Sequence, residues 1–542
     1  MAAPKARAAP QSGVAEAAVR ELITEFDSPG SPGGVLAVIR DGEIVFDLAF
    51  GMASIEHAVP NARQTVFYIA STSKQFVGAS IALLEYDGEL SIEDEIRMYL
   101  PELFPFDPPL RVHHLLHHTS GLRDKYALAA VGGLGEHTYA TDEGSMELLK
   151  GQRTLNFEPG SRMMYSNSNY FLLAQIVERI SGVGFEEFTR TRLFEPMGMR
   201  DTRFRSDSSV VIPHRASGYR KAGDGSWRVS EYTMNSLGPG GVVTTVDDLA
   251  KWSTVFFDKP LDPPDLAERI TRTRPFTDGK PNHYAFGLTV GDHLGHRMIS
   301  HSGGVGGFAA EMAHLRDDVL SVVCLANTSA VPAATLARQL AGLWLGESGQ
   351  RATPTPSQAP ASSEGMTPDA SFLGAFLSAD EDSILRIEPG EDGLTIVAGA
   401  VRAPLRAIAA NRLATPMGTE VELNPDGIAL RSPGSEEVAR YFRLTESGGD
   451  TGDEVIGRYR SDELDVVLES GRGPGGLTLA WPRSRPLPLR AIGSDLFVAT
   501  ASVMGSDLEV PVRLLRDKSG SPAALQISAS RALRNRFDRL KR

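Results

Sequence analysis

Apolar residues recur along the first half of the chain in two alternating rhythms. Val35–Ile39 and Ile44–Phe46 are short apolar runs on either side of Asp41-Gly42. That dipeptide supplies the positive φ angles of a tight turn, so a hairpin is predicted. Phe67–Glu85 and Asn169–Ile180 carry apolar residues at helical spacing, the second stopped by Gly182. Further strands are predicted at Ala285–Val290 and Val319–Leu325, with a helix over Ala333–Leu345. Strands first, many helices, then strands and a last helix describe one antiparallel sheet flanked by helices and fed from both chain ends.

The rhythm breaks over 347–371, a stretch rich in Pro, Ser, Ala and Thr that reads as a solvated linker. Behind it lies a repeat. FLGAFLSADEDSIL (Phe372–Leu385) aligns with VIGRYRSDELDVVL (Val455–Leu468) at an offset of 83, and GLTI at Gly393 meets GLTL at Gly476 at the same offset. PLRAI recurs at Pro404–Ile408 and Pro488–Ile492, one residue later. Both copies are short alternating segments with turn residues every 8–12 positions or so, which predicts two small β-barrels or sandwiches. The expected organisation is a first domain over 1–346, the linker 347–371, a barrel over 372–444, a linker over 445–454 and a second barrel over 455–542.

Composition adds exclusions. With 41% apolar residues in 542, the chain has ample material for packed cores. A net charge of -13 argues against nucleic acid or anionic lipid as a main partner. The single cysteine, Cys324, rules out an intrachain disulfide or a thiolate metal cluster, and its apolar run Leu320–Leu325 predicts a buried thiol. The N-terminal stretch lacks the apolar core of a signal peptide, and no run of about 18 apolar residues occurs. A cytoplasmic protein with no membrane span is expected. Its oligomeric state is left open, a homodimer included.

Three short constellations carry chemistry. Ser71-Thr72-Ser73-Lys74 sits inside FYIASTSKQFVGASIALL. Residues three apart share a helix face, so the hydroxyl of Ser71 and the amine of Lys74 come within hydrogen-bond reach. A lysine desolvated by apolar neighbours loses proton affinity and can act as the base a serine nucleophile needs. The plain alternative is an exposed Ser and Lys on a helix surface. Tyr165-Ser166-Asn167 precedes a helix. A tyrosine near an ammonium is stabilised as phenolate and can shuttle a proton, and the Asn167 carboxamide can hold a substrate carbonyl. Helix capping by Asn167 or Ser168 is the competing reading. His301-Ser302-Gly303-Gly304 fits a strand that presents His301 and Ser302 to a bound peptide while the glycines admit close backbone approach, or else a glycine-rich turn.

Together, in this order, the three resemble the signature motifs of the penicillin-recognising serine hydrolases, which include class C β-lactamases, D,D-peptidases, esterases and D-aminopeptidases. LLHHTSGL (Leu115–Leu122), FEPGS (Phe157–Ser161), LFEPMGM (Leu193–Met199), GPGGVVTTVDDLAKW (Gly238–Trp252) and YAFGL (Tyr284–Leu288) are similar to that family as well. The resemblance spans roughly 30–346 and implies a β-lactamase-like α+β catalytic domain. It implies Ser71 as the acylated nucleophile, Lys74 and Tyr165 as general bases, and the N–H groups of Ser71 and Gly304 as the oxyanion hole. His301 would join Ser71, Lys74 and Tyr165 among the catalytic residues, and Asn167, Ser302, Gly303 and Gly304 would line the substrate site. No cofactor and no metal are implied.

His301 stands where β-lactamases and most penicillin-binding proteins carry lysine, and a Ser-Asp-Asn motif is absent. Both departures resemble the D-aminopeptidase and esterase branch, in which a catalytic domain is followed by two small barrels. Trp481–Pro488 is a candidate for a last-barrel loop that reaches the active-site mouth, as such a loop does in that branch. Chain length and motif separation resemble the peptidases that open linearised microcystin between D-Ala and Leu, releasing an Adda-containing tetrapeptide. The expected partner is therefore a small peptide substrate. An esterase or β-lactamase-like hydrolase, and a non-catalytic peptide or β-lactam sensor, are the alternatives. The cluster His113-His114-Leu115-Leu116-His117-His118 has helical metal-ligand spacing but lacks the glutamate of HExxH. No GxSxG nucleophile elbow occurs.

Overall fold

A computed structural model describes residues 12–346 and 370–541, apart from 29, 135–139, 231–234, 236, 258–262, 379–382, 391–392, 399–400, 416–418, 432–437, 445–451, 483, 494 and 504–505. Most of both linkers, 347–369 and 445–451, and the first eleven residues thus lie outside the described residues. Two compact units divide the chain. One comprises the described parts of Met1–Leu122, Tyr139–Met146 and Phe157–Arg351; the other comprises those of Arg123–Thr138, Glu147–Asn156 and Ala352–Arg542.

The first unit is built on a six-stranded sheet in the order Thr289–His293, His296–Val305, Phe308–Leu315, Leu320–Ala326, Gly34–Arg40, Glu43–Phe50. Every neighbouring pair is antiparallel. Strands from the two ends of the unit meet in register, with Leu36 opposite Cys324. The predicted hairpin forms, and Asp41 and Gly42 turn it with φ of 49° and 80°. One face of the sheet packs under the helices Ser12–Ile23 and Ala333–Trp344, where Leu36, Val38, Val322 and Cys324 meet Val19, Ile23, Leu336 and Leu340. Strand Leu320–Ala326 is buried at every residue, as covering on both faces requires.

Two predicted elements are corrected. The helix read over Phe67–Glu85 begins only at Lys74. Phe67 and Tyr68 instead pair with Thr244 and Val243, and Ala70, at φ 48°, turns the chain into a 3₁₀ turn over Ala70–Ser73. The strand read over Ala285–Val290 begins at Thr289. Before it, Ala285–Leu288 closes a tight turn, and Phe286 presses so close to the nucleophile helix that a Cβ on Gly78 would lie 2.2 Å from its carbonyl oxygen. A short apolar run buried by helix contact carries the same pattern as a buried strand.

The second unit holds two closed eight-stranded antiparallel barrels, Gly374–Ser378 through Val438–Arg443 and Gly457–Ser461 through Ala532–Arg539. The sequence repeat is a structural one. Phe376 pairs with Leu385 as Tyr459 pairs with Leu468, and Gly390 opposes Gly393 as Gly473 opposes Gly476. Ala375 and Ile384 of the first barrel share a core with Ile492, Leu496 and Val498 of the second. The unit also takes in chain numbered within 1–346, contrary to a contiguous first domain. Arg123, 2% exposed, donates to the Leu533 carbonyl at 2.9 Å, to Glu463 at 2.8 Å and to Thr154 Oγ1 at 2.7 Å. Trp481 Nε1 donates to the Val131 carbonyl at 2.8 Å, so the start of Trp481–Pro488 is anchored on Lys125–Val131; Arg483 lies outside the described residues.

No helix among the described residues is long and apolar enough to cross a membrane. The first unit holds five imidazoles, His114 half-buried and the others buried, whose charged forms are disfavoured chiefly by desolvation. His113 is pushed down to about 2, His114 and His117 to about 4, and His301 and His314 to about 3. In the unfolded chain each regains an ordinary value near 6.5 or so and binds protons the fold does not. Stability should be complete above neutral pH and fall steeply as the pH drops from about 6.5 toward 4. Calorimetric unfolding across pH 4–8 measures it, and His314→Gln should flatten part of the slope.

Candidate active site

Each side chain of the Ser71–Lys74 turn is committed. Lys74 Nζ donates to Ser71 Oγ at 3.0 Å, Thr72 Oγ1 donates to the His301 carbonyl at 3.2 Å, and Ser73 Oγ accepts the Val242 N–H at 3.1 Å. The 3₁₀ turn eclipses residues three apart, which brings Ser71 and Lys74 together at the start of the helix. Lys74 is fully buried, as are Gln75 and Ser73. Its ammonium also donates to Asn167 Oδ1 at 3.1 Å and to the Pro239 carbonyl at 2.6 Å. The rings of Tyr165 and Tyr170 lie 4.8 and 5.7 Å from Nζ. A surface-exposed Ser/Lys pair is therefore not what the motif forms.

Asn167 opens the helix Asn167–Ser181; Ser166 stands at the N-cap position without a side-chain capping bond, and Gly182 ends the helix in a left-handed conformation. The structure thus brings Ser71, Lys74, Tyr165 and Asn167 together. His301 joins them from the strand His296–Val305. Its ring lies 6.2 Å from that of Tyr165, and its carbonyl receives the Thr72 hydroxyl. Gly303 meets the nucleophile turn directly: a Cβ there would lie 2.1 Å from the Ile69 carbonyl oxygen and 2.9 Å from Thr72 Oγ1. Only glycine lets this strand approach the turn so closely.

His301 is neutral, pushed down to about 3 by burial and then by the Lys74 charge. Its Nδ1 is 2.6 Å from the Ser302 carbonyl, an acceptor, so Nδ1 carries the proton. Nε2 then accepts from the Tyr284 hydroxyl at 2.9 Å. Burial raises the Tyr284 phenol well above its ordinary value, which keeps it a donor.

Ser302 departs from expectation. Successive residues of a strand face opposite ways, so its side chain turns from the face His301 uses. Its hydroxyl donates to Glu311, its register partner. Glu311 in turn opposes Cys324, which packs with Leu336 and Leu340 of the last helix. The cysteine is buried as predicted, its thiol pushed up by desolvation first and by Glu311 second.

Three histidines of the cluster are engaged within the fold. His114 Nδ1 accepts the Arg111 N–H at 3.1 Å, His117 Nδ1 bonds the Tyr284 carbonyl at 2.9 Å, and His113 Nε2 lies 3.5 Å from Glu93. Among the described residues no three His, Cys, Asp or Glu converge as a metal site. Several residues of the site escaped motif reading: Tyr284, Pro239, Thr72, Ser120, Asn169 and His118. Most lie in LLHHTSGL, GPGG and YAFGL, where the family resemblance was visible but no spacing rule assigned a role.

The beta-lactamase family model matches residues 18–343. D-aminopeptidase of Gluconobacter oxydans (strain 621H) is 29% identical over 493 residues, covering 89% of this chain and 90% of that protein. D-aminopeptidase of Brucella anthropi is 27% identical over 489 residues, with 89% of each chain covered. The octameric penicillin-binding protein homologue from Pyrococcus abyssi superposes with a TM-score of 0.57 at 20% identity, over 97% of this chain and 100% of that one. This chain belongs to the beta-lactamase family, and with it to the serine hydrolases.

Proposed function

We propose that the chain is a serine peptidase or amidase that cleaves short peptides containing D-residues through an acyl-enzyme at Ser71. The observation that carries this is the 3.0 Å contact of Ser71 Oγ with a fully buried Lys74 Nζ. Asn167 Oδ1 and the Pro239 carbonyl can only accept, so each claims one N–H of Lys74. The third position, toward Ser71, holds a proton in the ammonium and a lone pair in the amine. The exchangeable proton thus lies on the axis to the nucleophile.

Ser71 Oγ attacks the scissile carbonyl while its proton passes to the Lys74–Tyr165 pair. The N–H groups of Ser71 and Gly304 receive the oxyanion. The pair returns the proton to the departing amine, leaving an ester at Ser71. Water, deprotonated by the same pair, then releases the acid and restores the serine.

Neutral His301 supports a narrower reading. A lysine there would pair with a carboxylate beside the scissile bond; an uncharged imidazole bonded to Tyr284 gives no such pairing. That favours substrates whose reacting carbonyl has no free carboxylate next to it. Linearised microcystin, opened between D-Ala and Leu to release the Adda-containing tetrapeptide, is such a substrate and is the one we propose. Likeness to D-aminopeptidases over most of the chain favours N-terminal D-residue release as the second reading. A net charge of -13 gives no support to nucleic acid or anionic lipid as a partner.

Mass spectrometry of products from linearised microcystin, a D-alanyl anilide, a simple ester and a cephalosporin separates these readings. Tetrapeptide is expected from the first, with a loss of about 10³-fold or more in Ser71→Ala. Release from the anilide alone selects the D-aminopeptidase; turnover of the ester alone selects an esterase. No turnover together with no fluorophosphonate labelling at Ser71 means a sensor and overturns the proposal. His301→Lys should raise cephalosporin acylation relative to anilide turnover by about tenfold, the worth of one charge-assisted hydrogen bond. An unchanged ratio removes the specificity argument.

A further inference from the structure

We propose that His118 is the positioning residue for Tyr165, acting as a neutral hydrogen-bond acceptor that fixes the tyrosine's loop from both sides. The inference rests on the proton-transfer role given to Tyr165 above. His118 is fully buried and has φ 55°, a left-handed conformation that side chains other than glycine rarely adopt. What holds it there is the Tyr165 loop. The His118 carbonyl accepts the Met164 N–H at 2.9 Å, and His118 Nδ1 accepts the Ser166 N–H at 3.2 Å. These two donors flank Tyr165 directly in sequence.

A third bond extends the clamp. Asn169 Nδ2 lies 3.0 Å from the same Nδ1, and Asn169 Oδ1 accepts from Ser120 Oγ at 2.7 Å, which fixes which end of the carboxamide faces the ring. Asn169 belongs to the first turn of the helix that begins with Asn167, the carboxamide on Lys74. One imidazole therefore ties together the tyrosine's backbone and the helix start that orients Asn167. Its ring lies 4.3 Å from that of Tyr165 and 4.6 Å from that of Tyr284, the partner of His301.

The direction of the bonds fixes the chemical form. Two N–H groups point at Nδ1, so that nitrogen presents a lone pair and the proton of the neutral ring sits on Nε2. A proton on Nδ1 would set a donor against two donors and release the loop. His118 thus has no role as a base toward substrate; it works through Tyr165.

The rate of fluorophosphonate labelling at Ser71 tests this without a known substrate. His118→Ala should lower the limiting labelling rate about 10- to 100-fold while the half-saturating concentration changes less than about twofold. His118→Gly, which tolerates the left-handed backbone but has no acceptor, should lose as much. His118→Asn, which tolerates it better than most residues and offers a carbonyl oxygen, should recover most of the rate. In a Tyr165→Phe background, His118→Ala should cost far less than in the wild type, because only the support of the Asn167 helix start is left to lose. Losses that multiply, or an asparagine variant with unchanged thermal unfolding and no recovery, overturn the positioning role and leave Tyr165 in place. A Tyr165→Phe variant that labels at the wild-type rate overturns both the proton-transfer reading and this inference.

Discussion

A lysine ammonium with no solvent exposure is the constraint around which the catalytic unit is arranged. Taking such an ion out of water costs several kcal/mol even after relaxation, and that cost is offset only by acceptors placed to meet it. Lys74 has a hydroxyl, a carboxamide and a backbone carbonyl, drawn from its own turn, from the helix that follows Tyr165 and from Gly238–Gly240. Two tyrosine rings complete the shell with their negative faces. Three stretches far apart in sequence must therefore converge before the lysine can be buried. The convergence that buries Lys74 is the same one that brings Ser71, Tyr165 and Asn167 together.

The charge also explains what lies across from it. A second cation at 301 would be repelled by Lys74 and desolvated in the same space. The histidine there is held neutral by those two effects and is used as a hydrogen-bonding surface. On the reverse face of the same strand, Glu311 is buried beneath Ser302, and its ordinary ionisation is opposed by desolvation in the same way. The strand thus presents polar side chains on both faces, with Glu311 supplied by the neighbouring strand, and glycine at 303 brings its backbone against the Ala70–Ser73 turn. A two-residue period is what separates these roles.

How far the sequence discloses this depends on the range of the interaction. Asp41-Gly42, the Gly182 helix stop and the offset of 83 between barrels are local or self-referential, and each is legible directly. Ser71 and Lys74 are legible because three residues of spacing fix their contact. The start of the nucleophile helix is not, because Tyr68 is drawn into a strand by Val243, a partner remote in sequence. Ser302 is misread for a related reason. Sequence shows a polar residue beside His301 but not which face of the sheet holds the catalytic groups. Tyr284 and His118 have no motif of their own; they become functional only through bonds to residues that do.

The division into units follows the same logic. Composition marks a boundary where the chain turns to Pro and Ser, yet Arg123–Val131 and Glu147–Asn156 belong with the barrels. Their polar groups are spent on barrel backbone: Arg123 on the Leu533 carbonyl, Asn156 on the Leu533 N–H at 2.9 Å and on the Arg531 carbonyl at 3.0 Å. A buried guanidinium paired with Glu463 is costly to uncover, so these segments are held to the second barrel as firmly as its own loops. At Leu122–Arg123 and Asn156–Phe157 the chain then passes straight into LLHHTSGL and FEPGS, the stretches that lead to His118 and Tyr165. The chain therefore crosses between the two units at more than one position. Truncation after 346 would leave Arg123 and Asn156 without the partners that now satisfy them.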